Sequence, residues 1–76
     1  MRPHYHINIF WSDEDGEWIA DVPDLKSCCA GGATPLEAAE QVTLAMDAWL
    51  ETAEELGLPL PEARYVPAIY AARRAA

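Results

Sequence analysis

The stretch Asp21–Glu37, DVPDLKSCCAGGATPLE, decides the fold. It reads as a strand end, a tight Pro-Asp turn, a second short strand and a helix start. Pro23 ends the strand pairing because it has no ladder donor. At the far end, Thr34 caps the helix through its hydroxyl, and Pro35 suits the first helical position, where an N–H would have no helical partner. Glu37, three residues after the cap, is placed to reach back to the N–H of Thr34 and close a capping box.

Upstream of this stretch the hydrophobic period is two. Tyr5 to Trp11, YHINIFW, puts Tyr5, Ile7, Ile9 and Trp11 on one face and His6, Asn8 and Phe10 on the other. The turn SDEDG follows, with Asp15-Gly16 as the hairpin dipeptide. The return strand EWIADV carries Trp18, Ala20 and Val22 on one face. The predicted strands are 5–11, 17–22 and 27–31, a three-stranded antiparallel meander.

Downstream the period becomes helical. Ala38, Ala39, Val42, Ala45, Met46, Trp49, Ala53 and Leu56 form one apolar stripe, while Glu37, Glu40, Asp47, Glu51, Glu54 and Glu55 occupy the remaining surface. The predicted helix, 35–56, is ~33 Å long at 1.5 Å per residue, enough to cross the sheet. Gly57 supplies the left-handed position after its end, and Pro59 and Pro61 prevent continuation. In the tail, 57–76, the segment RYVPAIY (64–70) reads as a candidate fourth strand, confined to an edge by Pro67. AARRAA is too short for a stable helix by itself, and Arg73-Arg74 reads as a solvated end. The fold class is α+β: one domain, 1–76, with a single long helix packed on the meander.

A chain of 76 residues holds one domain, and at this size folding buries only ~60% of the unfolded surface. With 51% hydrophobic residues, three Trp and three Tyr, it is rich for a small monomer. A homo-oligomer, dimer or tetramer, is the expectation. Thirteen acidic against five basic residues give a net charge of -8. Such a domain repels phosphate backbones, which argues against direct nucleic-acid binding and suits a basic protein partner. No signal peptide and no apolar run of ~20 residues is visible. The two cysteines, Cys28 and Cys29, are adjacent and on a strand would face opposite sides, so they supply no disulfide framework. The cytoplasm is the expected compartment.

No chemistry-bearing constellation emerges. His4, His6, Cys28 and Cys29 have no metal-ligand spacing, and a calcium loop would need Gly and Glu where Asp13, Glu14 and Asp15 do not supply them. Neither cysteine carries a motif that marks a base beside it, and Gly31-Gly32 lacks a phosphate-loop pattern. The expectation is a protein that is not an enzyme and uses no cofactor or metal.

Pro23, Asp24, Leu25, Cys28, Gly32, Thr34, Glu37 and Ala38 together resemble the signature of the HicB-like antitoxin family. Trp18 and the Asp15-Gly16 turn fit the same pattern upstream, and Gly57-Leu58-Pro59-Leu60-Pro61 fits the family's exit from the helix. The resemblance covers about Tyr5 to Glu62. It implies a reduced ribonuclease H-like fold of three strands, a helix and a further strand. It also implies that the chain neutralises a small basic mRNA-cleaving toxin by covering it. Lys26-Ser27 replaces a frequent Pro-Gly, and Ala33 a frequent Asp. The family's DNA-binding module has no counterpart before Ala76, so an orphan without a toxin is the variant reading.

Asp21 and Asp24, flanking the Pro turn, are the candidate partner contacts, although Asp commonly serves only to stabilise such a turn. Trp49, Tyr65 and Tyr70 are the candidate oligomer contacts, with Trp49 also suited to the core. The alternative function is a small-ligand or metabolic regulatory module, its pocket lined by Trp11, Trp18 or Trp49.

Overall fold

The structure, a computed structural model, describes residues 2–75. In chain order the elements are β1 (Asn8–Ser12), β2 (Glu17–Asp21), β3 (Cys29–Gly32), α1 (Pro35–Glu55) and α2 (Ala68–Ala75). The sheet is antiparallel throughout, in the order β1-β2-β3. Helix α1 lies across one face of it, so the architecture is the expected α+β meander under a long helix.

The register assigns every side chain to a face. Asn8 pairs with Asp21, Phe10 with Ile19 and Trp11 with Trp18, and across β2 Ala20 pairs with Ala30 and Trp18 with Gly32. Residues in register share a face. Ala20 and Val22, both fully buried, therefore point with Trp18, Ala30 and Gly32 toward α1. There they meet Ala38, Val42 and Leu50 in a core closed by Leu25 and Cys28. The opposite face carries Phe10, Ile19, Asp21 and Cys29. Helix α1 packs chiefly over β3 and β2 and only grazes β1. For that reason Ile9 and Trp11, on the α1 side of β1, are still exposed.

Several boundaries move for local reasons. The ladder of β1 starts at Asn8 rather than Tyr5, because β2 ends opposite it at Asp21. Past that point Val22 N–H turns to the carbonyl of Cys28, 3.0 Å away. The expected third strand, 27–31, begins only at Cys29, since Ser27 sits at φ +60, outside the strand region. In the hairpin, Gly16 alone has positive φ, at +64, and its N–H reaches Ser12 O at 2.8 Å. This is a longer loop rather than a two-residue Asp-Gly turn, which would need two positive φ values.

The ends of α1 follow the sequence signals closely. Thr34 is the cap, at φ -136 and ψ 160, and its Oγ1 accepts the Glu37 N–H at 3.1 Å. Glu37 Oε1 reaches back to the N–H of Ala33 at 3.3 Å, one residue before the expected donor. At the other end Leu58 N–H donates to Ala53 O and Gly57 N–H to Glu54 O, with Gly57 at φ +69. These bonds form a Schellman cap, and Leu56 becomes the cap residue instead of the last helical one.

The tail departs most. The expected edge strand at 64–70 does not form, and with it the further strand implied by the family resemblance is absent among the described residues. The backbone N–H groups of Arg64 and Tyr65 bond a side chain, Asp24, instead of a sheet edge. Pro67 then opens α2 rather than breaking a strand, with Tyr70 N–H bonded to its carbonyl at 3.0 Å. The same fixed φ suits a helix start, so the described part of AARRAA, residues 71–75, becomes the end of an eight-residue helix.

Candidate partner-binding surface

The loop from Val22 to Cys28 is fixed from inside. Leu25 is only 2% exposed and seals the core, its N–H bonded to Val22 O at 3.1 Å. The carbonyl of Lys26 accepts the indole N–H of Trp49 at 3.0 Å. Asp24 Oδ2 accepts two backbone N–H groups, from Arg64 and Tyr65, both at 3.1 Å. Asp24 is thus the clamp of the C-terminal segment. A carboxylate accepting two amides is a strong, charge-assisted arrangement. Asp21 stands elsewhere, half-buried on the sheet face turned away from α1, in register with Asn8 and Cys29.

That outward face has a mixed character. At its centre are Phe10, 47% exposed, and its cross-strand neighbour Ile19. Around them stand Asn8, Asp21 and Glu17, whose carboxylate lies over Gly31 where a side chain would otherwise be. At one end His6 Nε2 and Asn8 Oδ1 are 2.6 Å apart, and the His6 ring packs against Tyr65 with centroids 4.4 Å apart. At the other end the turn adds Asp13, Glu14 and Asp15, with Asp13 held by the Trp11 indole N–H at 2.9 Å. Among the described residues no strand or helix packs on this face. Phe10, Ile19 and Glu17 were not singled out in the sequence. Their signal was present in the alternation, which gives β1 and β2 an apolar residue on both faces.

The remaining sequence-marked residues separate. Tyr65 stacks on His6, while Tyr70 lies on α2 under the Arg73 guanidinium, 5.5 Å from its ring centre. Trp49 lies half-buried against the core and also lines a groove of about 360 Å³ with Ala45, Ala48, Thr52, Ala53, Leu56 and Leu58. Trp11 and Trp18 pack edge to face on the β1–β2 side, 5.8 Å apart, and do not line that groove. Of the three tryptophans offered as lining for a ligand pocket, Trp49 alone lines this groove.

Burial pushes the Cys28 thiol upward, with smaller contributions from Cys29 and Asp21. Burial also raises the Tyr5 phenol, aided by the Asp24 charge. Among the described residues no group of three or more His, Cys, Asp or Glu is arranged to hold a metal ion. No helix in them is long and apolar enough to cross a membrane.

The Tyr5 shift gives a pH prediction. Its hydroxyl donates to Pro61 O at 2.6 Å, tying β1's approach to the tail. The neutral phenol is favoured by folding. Its contribution is complete below the ordinary value of 10.0 and is lost as pH rises through the higher folded value. Tyr5→Phe should cost about 1 kcal/mol at neutral pH and should flatten the alkaline decline of the urea midpoint. A Tyr5→Phe curve parallel to wild type above pH ~10 would show that this phenol does not control the decline.

Together these features define a small two-layer α+β domain with one bare, acid-rimmed sheet face. The chain is 38% identical over 58 residues to the UPF0150 protein ssl0259 of Synechocystis sp., an alignment covering 76% of this chain and 78% of that one. It belongs to the UPF0150 family. No family model matches the sequence, and no solved structure matches it.

Proposed function

We propose that this chain is a non-catalytic interaction domain of the HicB-like antitoxin type, acting in the cytoplasm on a small basic mRNA-cleaving toxin. The observation that carries this reading is the bare sheet face, with Phe10 and Ile19 ringed by Glu17 and Asp21. An apolar centre with a charged rim is the usual anatomy of a protein interface. A net charge of -8 suits a partner that must itself be positive to hold RNA. The PDLKSCC–GGATPLEA resemblance points to the same class of partner. Asp21 is the carboxylate offered to that partner, whereas Asp24 acts indirectly by holding the tail in place.

The test begins with a small basic RNase recovered with the tagged chain and then purified. Titrated with the chain, its cleavage of mRNA should fall to background near equal stoichiometry. Asp21→Lys, at a position outside the core, should weaken the complex about tenfold or more, ~1.4 kcal/mol, and make its salt dependence shallower. Undiminished cleavage at saturating chain would rule out the antitoxin role for that RNase. Full inhibition by Asp21→Lys would move the contact away from this face.

A further inference from the structure

We propose that two copies of this chain form a homodimer in which α2 of each lies in the groove along α1 of the other. The proposal stands independently of the toxin reading and uses a different surface.

Helix α2 has eight residues and packs on neither the sheet nor α1. Helices shorter than ~12 residues are marginal without tertiary support. Its larger side chains share one flank at three- and four-residue spacings: Ile69, 62% exposed, is followed by Arg73, and Tyr70, 44% exposed, by Arg74, with no acidic residue on the helix. The groove offers the complement. Its floor is Ala45, Ala48, Trp49, Thr52 and Ala53, and Leu56 and Leu58 close one end. Small residues there leave room for another helix to approach.

Charge identifies the occupant. On α1, which carries no basic residue, Glu51 and Glu55 stand three residues from Ala48 and Thr52 at the edge of the groove, whereas Asp47 and Glu54 are already paired with Arg2. Two α1 helices placed groove to groove would bring like charges together. An incoming α2 sets Arg73 and Arg74 beside them instead. The root of α2 directs it away from its own α1. Asp24 clamps Arg64 and Tyr65, Tyr65 rests on His6, and only Val66 and the stiff Pro67 intervene before Ala68.

The surface area agrees. The chain exposes 5529 Å², against roughly 4600 Å² for a compact monomer of its mass. The excess is close to the ~800 Å² that each partner buries in a standard interface. Its radius of gyration is 14.0 Å, where about 11 Å is usual for this length. Reciprocal docking is self-complementary and closes as a two-fold dimer.

Sedimentation of the full chain over a concentration series should give a dimer. Ile69→Asp on α2 and Ala48→Glu in the groove should each raise its dissociation constant about tenfold or more, with circular dichroism of the folded core retained. In a Cys29→Ser background, mixing chains that carry Ala48→Cys with chains that carry Tyr70→Cys should give a disulfide joining two chains. A monomer at all concentrations would overturn the proposal, as would a dimer insensitive to both variants. A chain carrying both cysteines that closes only on itself would place α2 on its own groove and overturn it as well.

Discussion

Replacing Leu25 by alanine is expected to remove about 2–5 kcal/mol of stability. Leu25 is 2% exposed and, with Val22 and Val42, is among the largest fully buried side chains. It enters the core from a loop rather than from a strand or helix. Its position depends on the Val22–Cys28 bond, on Leu25 N–H to Val22 O, and on Trp49 holding Lys26 O. None of these elements can slide inward to fill the space without breaking one of those bonds. A cavity therefore remains, and cavity creation adds to the lost transfer energy. A domain of this length has roughly 4–11 kcal/mol in total, so the variant should be partly unfolded near physiological temperature. Urea denaturation read by tryptophan fluorescence measures it. A loss below ~1 kcal/mol would mean that the loop collapses freely and that Leu25 does not seal the core.

The same loop shows what a sequence can disclose and what it conceals. Thr34-Pro35 and Gly57-Leu58 announce the ends of α1 because caps are made by residues within a turn of each other. The strands are visible for a similar reason: alternation is local, and the hairpin partner lies a few residues away. Asp24 is different. Its carboxylate binds backbone groups 40 and 41 residues distant, and no periodicity reports a contact of that span. Asp24 read alone is a turn residue. Pro67 was ambiguous for another reason, since one fixed φ disqualifies a central strand and also favours a helix start. Once Asp24 has taken the amides of Arg64 and Tyr65, an edge strand loses the donors it needs, and the helix is the remaining outcome. The candidate surface was half legible. Asp21 was visible as a carboxylate beside a turn, while Phe10 and Ile19 join the candidate surface only when the register sets them side by side with no described strand or helix above them.

Gly32→Ala should be the most damaging single-atom addition to this chain, costing about 1–3 kcal/mol by overpacking. A Cβ at Gly32 would lie 2.6 Å from the backbone nitrogen of Ala38 and 2.9 Å from the carbonyl carbon of Glu37. Both are main-chain atoms in the first turn of α1, so no rotamer change relieves the contact. Helix and strand must separate, and the shift falls where Thr34 Oγ1 and Glu37 Oε1 hold the cap. Losing that cap would add about 1 kcal/mol. Gly31 is the internal control. The nearest atoms to its Cβ would be the end of the Glu17 side chain on the opposite face, which can swing into solvent. Gly31→Ala should therefore change stability by no more than about 0.5 kcal/mol. The pair separates close backbone approach from the general cost of altering a strand glycine. If both variants lose the same stability, the packing of β3 under the start of α1 is not what requires Gly32. If only Gly32→Ala is destabilised, with amide exchange quickened in the first turn of α1, the contact between strand and cap sets the position of the helix over the sheet.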